Sequence, residues 1–207
     1  MISRLYSAAL RGVDAIEVEV EVNIYPNSEN PGVTVVGLPD AAVRESAQRV
    51  MSAIGASALA IPGGTKTVNL APADLKKEGP SFDLPIALAM AASSEEIVLP
   101  EENFCIVGEL ALDGKVRPVK GVLSIALEAK ARGRRQLLVP EANAKEAAVI
   151  DGIEVIPIHS LHQAWGFLTG AESITPLRID RQKFFNSQRH YEVDFDEVKG
   201  QHHVKRA

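Results

Sequence analysis

Lys76-Lys77-Glu78-Gly79-Pro80-Ser81-Phe82-Asp83 runs directly into Leu84-Pro85-Ile86-Ala87-Leu88-Ala89-Met90-Ala91-Ala92, a polar turn feeding a segment that has no polar face. A helix that is apolar all round has to be buried all round, so this segment predicts a central helix. Pro85 has no amide proton and fits only the first helical turn, which places the start of the helix beside Ser81 and Asp83. A serine therefore stands at the mouth of a buried helix, and Lys76-Lys77 reads as an exposed charged turn.

Upstream, Ile16, Val18, Val20, Val22 and Ile24 alternate with Glu17, Glu19, Glu21 and Asn23, the period of a strand with one buried face. Ser3 to Leu10 pairs with it as a hairpin through Arg11-Gly12-Val13-Asp14, and Gly32 to Leu38 reads as a more buried strand. Asp40 is placed to cap a helix carrying Val43, Ala47, Val50, Met51 and Ile54, and Val68 and Leu70 mark a strand ending at Ala71-Pro72. Downstream, Phe104 to Leu110 and Val116 to Val119 form a hairpin, followed by a helix from Val122 to Ala131 that stops near Gly133. A strand Gln136 to Val139, a helix Ala142 to Ile150, a strand Glu154 to Ile158 and a helix Leu161 to Leu168 complete an α/β, α+β-layered pattern. Beyond Gly170 the sequence turns polar and loses its period, as a linker does.

The 207 residues, 46% hydrophobic and 24% charged, suit one core plus an appendage. No apolar run approaches the roughly 20 residues of a membrane span and no signal segment opens the chain, so a soluble, cytoplasmic protein is expected. The single cysteine, Cys105, lies in the apolar run Phe104-Cys105-Ile106-Val107 and reads as a core residue. A net charge of −5 disfavours a protein that coats nucleic acid generally, yet the charge is unevenly spread. Ala111 to Pro140 holds seven bases, Lys115, Arg117, Lys120, Lys130, Arg132, Arg134 and Arg135, against the two acids Asp113 and Glu128. Such a group could meet a phosphate backbone; the plainer reading is a solvated helix end.

The serine turn resembles the Lys-Asp-Gly-Pro-Ser turn of the Lon protease family, whose serine is the nucleophile. Gly108-Glu109-Leu110-Ala111-Leu112-Asp113-Gly114-Lys115-Val116-Arg117-Pro118-Val119 is similar to the Lon segment Gly-Glu-x-x-Leu-x-Gly-x-Val-x-Pro-Ile. The resemblance implies a ribosomal protein S5 domain 2-like fold of the Lon proteolytic-domain type. It also supplies a test of activity, because where Lon reads Pro-Ile-Gly-Gly-Leu-Lys this chain reads Pro118-Val119-Lys120-Gly121-Val122-Leu123. The position of the lysine base is held by Leu123, and a hydrocarbon accepts no proton, so Ser81 is expected to be inert. The competing reading is a serine peptidase in which Lys120, Lys76 or Lys77 serves as a displaced base.

A closer resemblance, to the ComM/YifB family of magnesium-chelatase-related AAA+ proteins, rests on Val36-Gly37-Leu38-Pro39-Asp40, Val43-Arg44-Glu45-Ser46, Val68-Asn69-Leu70-Ala71-Pro72-Ala73-Asp74 and Gly79-Pro80-Ser81-Phe82-Asp83-Leu84-Pro85. It implies a Lon-like domain over residues 1–169, a linker over 170–195 and the opening of an AAA+ ATPase module over 196–207. In the intact protein it implies a hexameric, ATP- and magnesium-dependent DNA branch-migration motor of recombination and natural transformation. This domain would then serve as a scaffold or DNA-guiding collar with its own AAA+ module as partner; a pure oligomerisation or protein-interaction module is the other alternative. Val198, Gly200 and Gln201 resemble an AAA+ element near the adenine. No phosphate-binding loop is present, because Gly63-Gly64-Thr65-Lys66-Thr67 has the wrong spacing and a strand following, so this chain is expected to hold no cofactor. His159 and His162 stand three apart without further ligands nearby, and no metal site is expected.

Overall fold

The computed structural model describes residues 2–26, 28, 31–61 and 63–180. Strands β1 (Ile2–Arg11) and β2 (Asp14–Tyr25) form the expected hairpin, β3 spans Gly32–Val36, and helix α1 (Ala41–Ala56) leads to β4 (Thr65–Ala71). These strands make one sheet in the order β1-β2-β4-β3, antiparallel except for β3 against β4. Helix α2 (Asp83–Glu95) lies on the inner face, against Leu5, Val18, Val20, Val22, Val68 and Leu70. Every residue from Asp83 to Ser93 is buried, which is why the sequence could dispense with a polar face there.

The second half carries β5 (Phe104–Ile106), β6 (Glu109–Leu110), β7 (Val116–Arg117), α3 (Val122–Ala131), β8 (Gln136–Pro140), α4 (Ala144–Ala147), β9 (Glu154–Ile158) and α5 (Leu161–Leu168). A parallel sheet in the order β5-β8-β9 and the two-stranded β6-β7 hairpin complete a mixed α/β architecture. A second core cluster, with Cys105, Val107, Ile125, Ala129, Leu137 and Val155, fills the space under α3 and α4. Burial pushes the Cys105 thiol up to about 12, so it is an inert core group.

Three sequence expectations change. The strand from Gly32 is an edge strand with alternating exposure, and it ends at Val36 because Gly37 (φ 97°) and Leu38 (φ 55°) turn the chain. The strand from Phe104 divides because Gly108 leaves the sheet: its amide donates to the Ser81 carbonyl at 2.9 Å and its carbonyl accepts from Leu84 at 3.0 Å. The helix foreseen over Ala142–Ile150 is a 3-10 turn, Glu141–Asn143, plus the short α4. Asn143 instead clamps Val119, accepting from its amide at 2.9 Å and donating to its carbonyl at 3.0 Å. No described helix is long and apolar enough to cross a membrane. The linker beyond residue 180 and the proposed module opening at 196–207, including Val198, Gly200 and Gln201, lie outside the described residues.

Candidate functional site

Ser81 sits in a 3-10 turn, Pro80–Phe82, that enters α2 directly. It makes no side-chain cap bond to the helix; the turn is held instead by its backbone and by its neighbours. Asp83, fully buried, receives Nε of Arg49 on Oδ2 at 2.8 Å, a second Arg49 nitrogen on Oδ1 at 3.1 Å, the Leu110 amide at 3.2 Å and a very short bond from the Ser46 hydroxyl. Burial raises the pKa of this carboxyl, against the opposing pull of Arg49 and Ser46. Asp40 caps α1 as expected, accepting from Val43 at 2.8 Å, and its second oxygen accepts from the Gly79 amide at 3.2 Å. Two carboxylates thus tie α1 to the serine turn, and sequence reading missed Arg49 and Ser46 as the partners of Asp83.

The turn opens onto a cleft of about 490 Å³ lined by Ala8, Leu10, Asp40, Ser81, Glu109 and Lys120 among others. Of the three candidate bases, only Lys120 lines this cleft. Among the described residues neither the Ser81 hydroxyl nor the Lys120 ammonium has a hydrogen-bond or ion-pair partner, so the two are not within hydrogen-bond reach of each other. Leu123 is 40% exposed on α3 and is not part of the cleft wall, and its amide donates to Glu146 at 3.2 Å. A larger hollow of about 790 Å³ lies at the starts of β8 and β9, lined by Arg135, Gln136, Gly152 and Glu154, and takes in none of the serine turn.

The reading of Lys76-Lys77 as an exposed pair is half corrected. Lys76 is exposed and pairs with Glu78 at 2.7 Å, whereas Lys77 is fully buried and its ammonium donates to the Pro72 carbonyl in a very short bond. The reason is the backbone: Lys77 bridges Pro39, its amide donating to Leu38 at 3.2 Å and its carbonyl accepting from Asp40 at 3.0 Å, which draws the side chain inward. Burial lowers the Lys77 pKa below its ordinary 10.5. The native state then binds fewer protons than the unfolded chain over the interval just below 10.5, so this lysine makes stability rise with pH there. In urea titrations of the parent and Lys77→Met between pH 7 and pH 10 the parent is expected to gain stability relative to the variant as pH rises; a difference that stays constant refutes the assignment.

The seven basic residues do not form one face. Lys115 pairs with Asp113 at 2.9 Å, Arg117 with Glu109 at 3.2 Å and Arg132 with Glu128 at 2.8 Å. Arg134 pairs with both oxygens of Glu17, at 2.8 and 2.9 Å, and stacks 3.6 Å from the Tyr6 ring centre. Lys120, Lys130 and Arg135 have no ion-pair partner among the described residues, and they stand at the cleft, at the end of α3 and at the larger hollow respectively. His162 Nδ1 lies 3.2 Å from the Ser57 carbonyl, while Ser160 caps α5; no group of three or more His, Cys, Asp or Glu side chains able to hold a metal occurs among the described residues. Lys66 of the Gly63–Thr67 segment is buried on the inner face of β4, and a Cβ on Gly64 would lie 2.0 Å from the Tyr25 carbonyl oxygen. That segment fits a packed strand start and does not fit a phosphate.

The structure is thus a mixed α/β domain with a serine turn at the mouth of a buried helix, and among the described residues no amine is hydrogen-bonded to that serine. The chain belongs to the family described as subunit ChlI of Mg-chelatase, whose model matches residues 19–143. It is 38% identical over 206 residues to the competence protein ComM of Haemophilus influenzae, covering 98% of this chain and 40% of that protein. It is also 38% identical over 208 positions to the uncharacterized protein YifB of Escherichia coli, covering 100% of this chain and 40% of that protein. A more distant likeness, 33% identity over 88 residues, links 42% of this chain to 13% of the archaeal Lon protease of Methanocaldococcus jannaschii. The chain thus spans about 40% of the length of the ComM and YifB relatives.

Proposed function

We propose that this chain is the non-hydrolytic, Lon-derived domain of a magnesium-chelatase-related AAA+ motor, built on the ribosomal protein S5 domain 2-like fold and working in the cytoplasm. The observation that carries this reading is the state of Ser81: it lines a cleft in which, among the described residues, no amine is in hydrogen-bond reach of its hydroxyl, and the residue at the Lon lysine position is an exposed leucine. Without a base to take its proton the hydroxyl is a poor nucleophile. In this proposal the intact motor is a hexameric, ATP-driven DNA branch-migration machine of recombination and natural transformation; the name of the Haemophilus relative, a competence protein, supports the link to competence alone. ATP and magnesium belong to the module beyond this domain, at whose opening Val198, Gly200 and Gln201 stand.

Casein hydrolysis and fluorophosphonate labelling of the intact protein are expected to stay at background, and Ser81→Ala to leave them there. Hydrolysis that is abolished by Ser81→Ala and by Lys120→Met establishes the displaced-lysine peptidase instead.

For the role of the domain, an assembly module is favoured over a DNA-guiding collar, because four of the seven basic residues are already neutralised by carboxylates. Charge reversal at Lys120, Lys130 and Arg135 together is expected to leave the DNA affinity of the intact protein, and its salt slope, unchanged. A slope reduced by about one per residue replaced assigns the collar role.

A further inference from the structure

Past α5 the chain does not leave the body at once. Residues 171–180 belong to no helix and no named strand, yet they run back along the domain. The Glu172 amide donates to the Gly166 carbonyl at 2.9 Å, and the Leu177 amide donates to the Val155 carbonyl at 2.8 Å, an isolated antiparallel bridge on β9. A Cβ on Gly166 would stand 2.9 Å from Cγ of Glu172, so the glycine in α5 leaves room for the segment to pass.

The segment touches both halves of the molecule. Ile174 packs against the core cluster that holds α2, and Leu177, three positions on, packs against the second cluster. It also closes an edge. In the order β5-β8-β9 the last strand is paired on one side only. At the far end of that strand the His159 carbonyl accepts from the Val116 amide at 2.9 Å, and Pro157 brings no amide to the edge. Val155, at the near end, is covered by Leu177. An uncovered strand edge is a template for a foreign backbone, and this segment is what blocks it.

The hold is light. Among the described residues, the two bonds from Glu172 and Leu177 are the backbone bonds that tie the segment to the body. Its apolar side chains, Ile174, Pro176, Leu177 and Ile179, are only half-buried, whereas Val155 and Ile156 beneath them are buried. Pro176 to Ile179 form one wall of the larger hollow, so the opposite side of that wall is open space and not packed core. Few buried apolar contacts and few backbone bonds are the marks of an element that opens below the free energy of global unfolding.

We propose that residues 171–180 are a strap belonging to the domain, not the first stretch of a linker, and that the strap is a two-state clasp. Seated, it staples the two cores from outside, blocks the β9 edge and walls the hollow; released, it frees the edge at Val155 and opens the hollow while the body stays folded. Whatever follows Asp180 is joined to the body through this element. It is held against the domain while the strap is seated and let go when it lifts, without any cost in core packing elsewhere. The clasp stands whether or not the module beyond is a DNA motor.

Amide hydrogen exchange on the 207-residue chain, read residue by residue by NMR at several low urea concentrations, tests it. The Leu177 amide is expected to be protected, yet to exchange about tenfold or more faster than Ile156 in β9, and to respond far less to urea, as a local opening does. Ile174→Asp removes one foot of the staple and leaves the Leu177–Val155 bond intact. It is expected to speed Leu177 exchange about tenfold or more while Ile156 exchange and the urea midpoint stay near those of the parent. A Leu177 amide that exchanges at the unprotected rate shows no seated strap and overturns the proposal. So does one that exchanges at the rate of Ile156 with the same urea dependence, because the strap then opens only with the whole fold. An Ile174→Asp variant that leaves Leu177 exchange unchanged overturns the strap as a single unit.

Discussion

Arg49→Ala is expected to lower the unfolding free energy by about 3–5 kcal/mol, because it strands the Asp83 carboxylate in the core. Asp83 is fully buried, and Arg49 supplies the cation and two of its four hydrogen bonds. In a domain of this size that loss corresponds to roughly 10 °C in melting temperature. The effect also has a pH signature. Burial already raises the folded-state pKa of Asp83 above its ordinary 3.8, and without the guanidinium it rises further. A carboxyl with a raised folded pKa binds more protons in the native state over that interval, so the variant should regain stability as pH falls from 7 towards 5, and lose it as pH rises. Replacing both partners, with Arg49→Leu and Asp83→Asn, leaves no buried charge and is expected to cost less than Arg49→Ala alone. Thermal melts of the three proteins at the two pH values check this; an Arg49→Ala melt within 2–3 °C of the parent, by the same rough scale, rules out the clamp.

What the chain reveals before it folds follows the range of the forces involved. The identity and burial of α2 were legible because an unbroken apolar helix admits one solution, and Pro85 fixed its first turn. The β1-β2 hairpin was legible for a similar reason, since alternation and a Gly12 turn are local signals. The place of the Ser81 turn, at the entry of α2, could be read from the quoted segments alone. Its supports could not. Arg49 and Asp83 lie 34 positions apart, and no periodicity relates a helix face to a carboxylate at the start of another helix. Lys77 looked exposed because charged neighbours usually are, and only its bridge to Pro39 explains its burial. The basic segment looked like one cluster because a linear count ignores partners: Glu17, which neutralises Arg134, is 117 positions away. Likewise β3 was expected to lie deeper because Val33, Val35 and Val36 are apolar, whereas pairing on one side only makes it an edge.

Gly37→Ala is expected to be, with Gly64→Ala, among the most damaging of the single-methyl additions, at about 2–5 kcal/mol, summing a left-handed backbone penalty and an overpacking penalty. Gly37 has φ 97°, and a Cβ there would stand 2.0 Å from the Leu70 carbonyl oxygen and 2.8 Å from its carbon. Those are backbone atoms of β4, inside the sheet, and cannot swing aside as a side chain does. The strand end must then lift, breaking the Val36–Asn69 pairing and, one residue on, the Leu38–Lys77 and Asp40–Lys77 backbone bonds. Asp40 is also the acceptor for Gly79, so the strain is passed to the serine turn and its cleft. Gly12→Ala is the control: its φ is 65° but nothing lies within 4 Å of the added Cβ, so only the backbone penalty of about 1–2 kcal/mol applies. Urea midpoints measure both losses, and amide exchange at Gly79 and Ser81 measures the transmission. Equal losses in the two variants would mean that the contact with Leu70 yields easily, whereas a larger loss at Gly37 with faster exchange at the serine turn would establish that β3, though an edge strand, holds the cleft in shape.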